Sequence, residues 1–315
     1  MLNHTYMPEG SYLSASENRE YLSSLNGLER AMNDGVILEA VATRCDSSFT
    51  LTVDLGNYTG YITREESVLT YDGEPVKDIA VITRVGKPVC FKITSITRDS
   101  YGEPIIMLSR RAAQLECTEN MLATLVPGDI IPARVTHLEQ FGAFVDIGCG
   151  IVSLLSIDCI SVSRISHPKD RFQIGSQINC VVKKNEDEGK RIYVSHKELL
   201  GTWEENAEKF SIGQTVTGIV RSIEEYGIFV ELTPNLAGLA EYKEGIAVGQ
   251  RAAVFIKNII PERMKIKLVL IDTYRAESKN QQSDIKYYVD SETKHIDRWV
   301  YSPPESNKII ETVFE

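Results

Sequence analysis

Residues 48–62 (SFTLTVDLGNYTGYI), 140–155 (QFGAFVDIGCGIVSLL) and 225–240 (EYGIFVELTPNLAGLA) repeat one pattern. Each reads as a strand, a turn rich in Gly, Pro or Asn, and a second strand. About 12 residues upstream of each lies another alternating run: GVILEAVAT (35–43), GDIIPARVTHL (128–138) and GQTVTGIVRSI (213–223). Downstream comes a Gly-led strand, GKPVCFKITSI (86–96), GSQINCVVKK (175–184) or GQRAAVFIKNI (249–259). A closing strand follows: PIIMLS (104–109), RIYVS (191–195) or KIKLVL (265–270). The unit is about five short strands, repeated three times at a spacing of roughly 85–90 residues. Short alternating strands with glycine turns predict small closed barrels, and five strands predict an OB-fold. The expected class is mainly β: three tandem five-stranded OB-fold barrels joined by short helices, with an N-terminal helix and a small C-terminal β-containing tail.

The expected organisation is an N-terminal helical segment (1–33), a degenerate first barrel (34–115), a second barrel with its linker helix (116–200), a third (201–273) and a tail (274–315). Residues 14–33 have helical character, with Leu22, Leu25 and Leu28 near one face. Residues 110–125 and 196–210 read as helices joining successive barrels. In the tail, QQSD (281–284) reads as a break. IKYYV (285–289), HIDRWVYS (295–302) and KIIETVF (308–314) are candidate short strands with no assigned place. Tyr287, Tyr288, Trp299 and Tyr301 in this region are expected to pack a small core in preference to stacking on a ligand.

Composition bounds the function. The 315 residues are 43% hydrophobic and 25% charged, ordinary for a globular chain. The opening MLNHTYMPEG lacks a basic start and apolar run, which argues against a signal peptide. No apolar stretch approaches the ~18 residues of a membrane span, so no membrane partner is expected. Six scattered cysteines form no CxxC pair, which predicts reduced, mostly buried thiols and a cytoplasmic chain, with no metal or cofactor. The net charge of −10 opposes binding to nucleic acid, whose affinity draws on Lys and Arg. Residues 128–200 are nonetheless balanced, with nine Lys/Arg and nine Asp/Glu. Stacking must therefore carry much of any nucleic-acid affinity, with a local charge contribution.

Side chains alternate faces along a strand. In the second repeat, Ala143, Val145 and Ile147 point into the barrel, and Phe144 and Asp146 face out. Simple alternation would bury Phe141, but Gly142 is expected to mark a bulge that turns it outward beside Phe144. In the third repeat Ile228, Val230 and Leu232 point in, Phe229 and Glu231 point out, and Gly227 lets Tyr226 join Phe229. Exposed ring pairs fit base stacking, at roughly 1–3 kcal/mol per base. Cover by a neighbouring barrel or connector is the alternative. In the first repeat Phe49 keeps the first ring, while Thr50 and Thr52 replace the glycine and the second ring, so an intact barrel with a weak ligand face is expected.

QFGAFVDIG, GSQINCVVKK and RIYVSHKEL together resemble the S1 RNA-binding domain, found in ribosomal protein S1 and in polynucleotide phosphorylase. Its hallmarks are an FGAFV strand, a Gly-Leu-Val-His strand about nine residues on and a closing Arg-Ile-x-Leu-Ser strand. The second repeat matches strongly, the third well (EYGIFVEL, AGLAEY, KIKLVL) and the first weakly. The junction WEENAEKFSIGQTVTG looks like the linkers between tandem S1 domains. The resemblance implies single-stranded RNA binding by two outer aromatics, a His, an acidic or polar loop residue and a basic residue before the last strand. In the second repeat these positions fall on Phe141 and Phe144, Ser156 (a hydroxyl where the family has a ring), Asn185 and Arg191. Lys183, Lys184, Lys190, Arg164, Lys169 and Arg171 add local positive charge. In the third they fall on Tyr226, Phe229 and Lys265, with Glu241, which repels phosphate, at the His position. In the first they fall on Phe49, Thr52 and Thr63, with Pro104 and no basic residue at the start of the closing strand.

The function so implied is that of a single-stranded RNA binder linked to translation, with mRNA as ligand and the small ribosomal subunit as a candidate partner. A protein-interaction scaffold docking on the ribosome or an RNA-processing complex is the alternative. Catalysis is not expected: the repeats leave no room for a nuclease domain, and no phosphate-binding loop, nucleophile elbow or metal-spaced His/Cys set occurs.

Overall fold

The computed structural model describes residues 6–71, 73–274 and 285–315. Barrel 1 consists of β1 (Leu38–Cys45), β2 (Leu51–Asp54), β3 (Thr59–Ile62), β4 (Pro88–Arg98) and β5 (Pro104–Ser109). Barrel 2 consists of β6 (Ile130–Glu139), β7 (Gly142–Asp146), β8 (Val152–Ser156), β9 (Gln177–Glu186) and β10 (Arg191–Ser195). Barrel 3 consists of β11 (Thr215–Glu224), β12 (Gly227–Thr233), β13 (Leu236–Ala240), β14 (Arg251–Ile260) and β15 (Lys265–Tyr274). All three close in the same cyclic order, first-second-third-fifth-fourth strand, with only the third and fifth strands parallel. The alternation seen in the sequence fills the interiors: Ala143, Val145, Leu155 and Val194 in barrel 2 are buried, as are Ile228, Val230 and Leu268 in barrel 3. At roughly 25 cal/mol per Å² of apolar surface, each Val, Leu or Ile among them contributes about 1.5–3 kcal/mol.

Two bulges recur at equivalent places. The register shifts in the first strand (between Ala42 and Arg44, Val135 and His137, Val220 and Ser222) and again in the fourth, at Thr94, Lys183 and Lys257. A bulge leaves one residue unpaired and displaces the alternation. Lys183 and Lys184 therefore both face out of barrel 2, as do Lys257 and Asn258 in barrel 3.

Several sequence expectations need correction. Gly142 is not a bulge: it pairs in register with Glu139 and with Ser156. A Cβ there would lie 2.5 Å from the Leu155 carbonyl oxygen, so the glycine permits close approach of β7 and β8. Phe141 faces outward because it sits in the hairpin turn before β7 begins. Asp146 and Glu231 lie on the outer face, as parity requires, yet both are buried. Asp146 accepts the backbone N–H of Glu9, Gly148 and Gly150, and Glu231 is held by Arg171 and Arg221.

The connectors are also more broken than expected. The N-terminal helix divides into α1 (Ser16–Leu22) and α2 (Leu25–Asp34), because the Ser24 hydroxyl caps α2 by accepting the Gly27 N–H. A one-turn helix α3 (Asp78–Ile82), not foreseen, precedes β4. The first two barrels are joined by α4 (Arg110–Asn120), as expected, followed by a short 3₁₀ turn. The segment 196–210 is a 3₁₀ turn (Lys197–Leu200) and a short α5 (Trp203–Ala207), separated by Gly201 at φ 84°.

In the tail, β16 (Arg298–Val300) pairs with β17 (Glu311–Val313), while 285–289 form no strand. QQSD lies outside the described residues. The tail aromatics pack: Trp299 and Tyr301 join the barrel 3 core, and the Tyr287 hydroxyl accepts the Asn179 N–H of barrel 2. The tail thus touches both barrels. His196, buried between the Phe172 and Tyr287 rings, is pushed down to about 4 by burial and stays neutral. All six cysteines are free and five are buried. Among the described residues no helix is long and apolar enough to cross a membrane.

The N-terminal segment wedges between barrels 1 and 2. Glu39 on β1 accepts the N–H groups of Gly10 (3.1 Å) and Tyr12 (2.8 Å), and burial pushes its carboxyl up to about 7 from 4.5. A carboxyl with a raised folded-state pKa binds its proton more tightly when folded. The stability it confers is present at low pH and lost as pH rises from about 4.5 through about 7. Burial likewise pushes Asp146 up to about 7, with the same sign. Glu9 is shifted the other way, so its effect falls below pH 4.5. The protein is expected to be about 1–3 kcal/mol more stable at pH 5.5 than at pH 8. Thermal melts of the wild type and Glu39→Gln at both pH values check this: the variant should show a smaller difference, and an unchanged difference would remove Glu39 as its source.

Candidate nucleic-acid interface

The closed register fixes which outward side chains lie side by side. In barrel 2 one lateral row runs His137 (β6), Phe144 (β7), Leu154 (β8), Tyr193 (β10) and Lys184 (β9), each paired with the next. Phe141 sits just above this row at the turn, 55% exposed. Its ring meets Phe144 edge-on at a centroid distance of 6.0 Å, and His137 lies 6.2 Å from Phe144. Offset or edge contacts of this kind hold rings without stacking them on each other. Tyr193 is 42% exposed. Beside it a pocket is lined by Leu154, Ser156, Lys183 and Lys184.

Each residue expected in this site has a definite place. Phe141, Phe144 and Ser156 lie together on the outer face. Lys183 is exposed, and its Nζ lies 3.7 Å from the Cys159 Sγ, with no carboxylate partner among the described residues. Arg191 is exposed at the start of β10, 3.8 Å from Asp187. Asn185 does not serve the face. Its Nδ2 donates to the Leu122 and Leu125 carbonyls and its Oδ1 accepts the Gly189 N–H, which ties the β9–β10 hairpin to the connector. The local positive charge is smaller than the count suggested. Arg171 is buried against Glu231, Lys184 pairs with Glu186, and Lys190 lies over the Tyr71 ring of barrel 1.

The same row in barrel 3 runs Ser222, Phe229, Leu239, Lys267 and Asn258. Tyr226, 69% exposed, meets Phe229 edge-on at 6.1 Å. Lys265 is exposed at the head of β15, and Glu241 is exposed just beyond β13. The pair of rings is therefore reproduced without the flanking His and Tyr. In barrel 1 the row is Arg44, Thr52, Tyr61, Met107 and Ser95. Phe49 sits at φ 62°, packs against the core and is covered by the Arg64 guanidinium at 4.7 Å. Thr63 is half-buried, and no ring pair forms on this barrel among the described residues.

His137 and Tyr193 are the residues that sequence reasoning missed. For Tyr193 the signal was present: it alternates with the buried Ile192 and Val194 and so must point outward. Replacing Tyr193 by Ser is expected to weaken binding of a short oligo-U by about 5–30-fold, with melting temperature nearly unchanged, if a base stacks on it. Unchanged affinity in a fluorescence titration would confine stacking to the phenylalanines.

Residues 125–197, which hold barrel 2, match the S1 RNA binding domain family. The chain is 28% identical over 234 residues to small ribosomal subunit protein bS1 of Rickettsia conorii, covering 69% of this chain and 39% of that protein. It is 27% identical over 301 residues to small ribosomal subunit protein bS1 of Staphylococcus aureus, covering 90% of this chain and 74% of that protein. The chain thus spans about two fifths of the rickettsial relative's length. A solved multidomain protein with nucleic acid binding domains from Streptococcus pneumoniae aligns over 78% of this chain and 76% of that one, at 16% identity and a TM-score of 0.25.

Proposed function

We propose that this chain, whose residues 125–197 match the S1 RNA binding domain family, binds single-stranded RNA on the outer row of barrel 2 and works in translation. Its ligand on this reading is mRNA and its docking partner the small ribosomal subunit, which puts its work in the cytoplasm. The carrying observation is the edge-on pair of exposed Phe141 and half-buried Phe144, with His137 beside Phe144 on one side and Tyr193 beyond Leu154 on the other. Water-exposed rings on a barrel are unfavourable unless something covers them, and every base offers a π-face. Lys183 and Lys184 line the pocket beside Tyr193, and exposed Arg191 opens the same strand, so that these cations can meet phosphates.

Barrel 3 is a weaker second reader on this reading, with Tyr226, Phe229 and Lys265 set against Glu241. Barrel 1 docks instead of stacking, since Phe49 is covered by Arg64 and the half-buried Tyr61 of its row has no paired ring among the described residues. Tethering the barrels raises the effective concentration of the second site once the first is occupied. Stacking and charge contacts leave the RNA intact, so no catalysis is involved.

The test is a fluorescence anisotropy titration of labelled oligo-U over a salt series, with DNA duplex as control. Binding that weakens with salt and with loss of Phe141 and Phe144 is expected. Indifference to both would favour the scaffold reading, in which these faces meet protein.

A further inference from the structure

A cleft of about 380 Å³ opens between barrels 1 and 2. Barrel 1 contributes Arg84 and Lys87, and barrel 2 contributes Arg134 and His137. Two carboxylates, Glu9 and Asp146, also reach it. Both are already engaged. Glu9 accepts from Arg110 Nε (2.6 Å), Arg110 Nη2 (3.1 Å) and the Cys90 N–H, and Asp146 accepts three backbone N–H groups.

The cations are less well matched. Arg84 Nη1 stands 3.5 Å from a Glu9 oxygen that Arg110 already holds, and the buried Arg84 Nε has no hydrogen-bond partner among the described residues. Burial and the charge of Arg110 both push Arg84 down from its ordinary range, the mark of a guanidinium short of counter-charge. Arg134 donates to the Glu9 backbone carbonyl, a neutral acceptor. Lys87 is exposed, with no carboxylate partner among the described residues. A guanidinium short of partners and counter-charge is costly, and a phosphate oxygen is a natural acceptor for one that lines the cleft.

The position of His137 links this cleft to the ring face. It lines the cleft and lies 6.2 Å from Phe144. We infer that the cleft holds the phosphodiester backbone of the strand leaving Phe144 past His137, so that barrel 1 serves RNA binding by charge and not by stacking. This inference rests on the reading of barrel 2 as an RNA face. It also answers the net charge of −10: the phosphate contacts come from a concentrated cationic junction.

The experiment uses the full chain and oligo-U strands of about four and about twelve nucleotides, bracketing much of the roughly 4–16 nucleotides that one such barrel engages. The wild type should bind the longer strand more tightly. The double variant Arg84→Ser/Lys87→Ser should lose about tenfold on the longer strand and stay within about twofold on the shorter. Its log–log salt slope on the longer strand should fall by about 1.4, at about 0.7 per lost contact with a single strand. Arg84 touches Glu9, so Lys87→Ser, at an exposed position, is measured alone, with an expected slope change of about 0.7.

Equal losses on both strands, no loss on the longer one, or no gain from length in the wild type would overturn the inference. Failure of the ring-face reading looks different: the wild type would then bind neither strand.

Discussion

Replacing Phe141 and Phe144 together by alanine is expected to weaken binding of a short oligo-U by about 30–300-fold. Each ring that stacks a base contributes roughly 1–3 kcal/mol, and every 1.4 kcal/mol is a factor of ten. The lower part of the summed range applies because the two rings touch edge-on and support one another. Stability should change little. Phe141 stands in a turn and is more than half exposed, and Phe144 rests on the outside of a barrel whose interior is filled by Ala143 and Val145. The matched variant Tyr226→Ala/Phe229→Ala is the internal comparison. Its row carries Ser222 and Lys267 where barrel 2 has His137 and Tyr193, so its loss should be several-fold smaller. A folded Phe141→Ala/Phe144→Ala protein that binds within about twofold of wild type would end the stacking account.

That comparison shows what a sequence reading reaches and where it stops. Barrel closure imposes a two-residue period on the interior, so Ala143, Val145, Ile228 and Val230 were legible as core, and the exposed ring pairs with them. What joins the rings was not legible. His137 and Phe144 meet across strands, and their alignment depends on a register shift after Val135 that no local pattern announces. Lys183 and Lys184 face out together for the same kind of reason, a bulge in β9. Asp146 and Glu231 were read as outward, correctly, but their burial needs partners distant in sequence: the Glu9 segment for one, Arg171 for the other. Asn185 held the expected position and performs a different task, because Leu122 and Leu125 present carbonyls that only the folded connector brings near it.

Loss of the Arg110 guanidinium should cost about 3–5 kcal/mol, the cost of leaving a buried carboxylate without its partner. Arg110 is almost fully buried. It donates twice to Glu9 and once each to the Ser67 and Gly150 carbonyls, which joins the N-terminal segment, barrel 1 and barrel 2 at one point. It also opens α4, where a positive charge faces the positive end of the helix dipole, so local preference does not hold it there. Glu9 does, and its carboxyl is lowered by Arg110 despite burial. In Arg110→Ala, the Glu9 carboxylate keeps one backbone N–H, from Cys90, and one nearby cation, Arg84 at 3.5 Å. With three barrels the melt need not be two-state, so the loss should appear in the transition of barrels 1 and 2 while that of barrel 3 stays in place. The double variant Arg110→Met/Glu9→Gln tests the cause. Removing both charges leaves no stranded ion, so its destabilisation should be less than the sum of the single changes by about 1–3 kcal/mol. Additive losses, or an Arg110→Ala melt within a degree or so of wild type, would mean that the ion pair does not join the barrels. If it does, Arg110→Ala also separates the two parts of the binding surface: short oligo-U keeps its affinity on Phe141 and Phe144, and the gain from a longer strand disappears with the cleft.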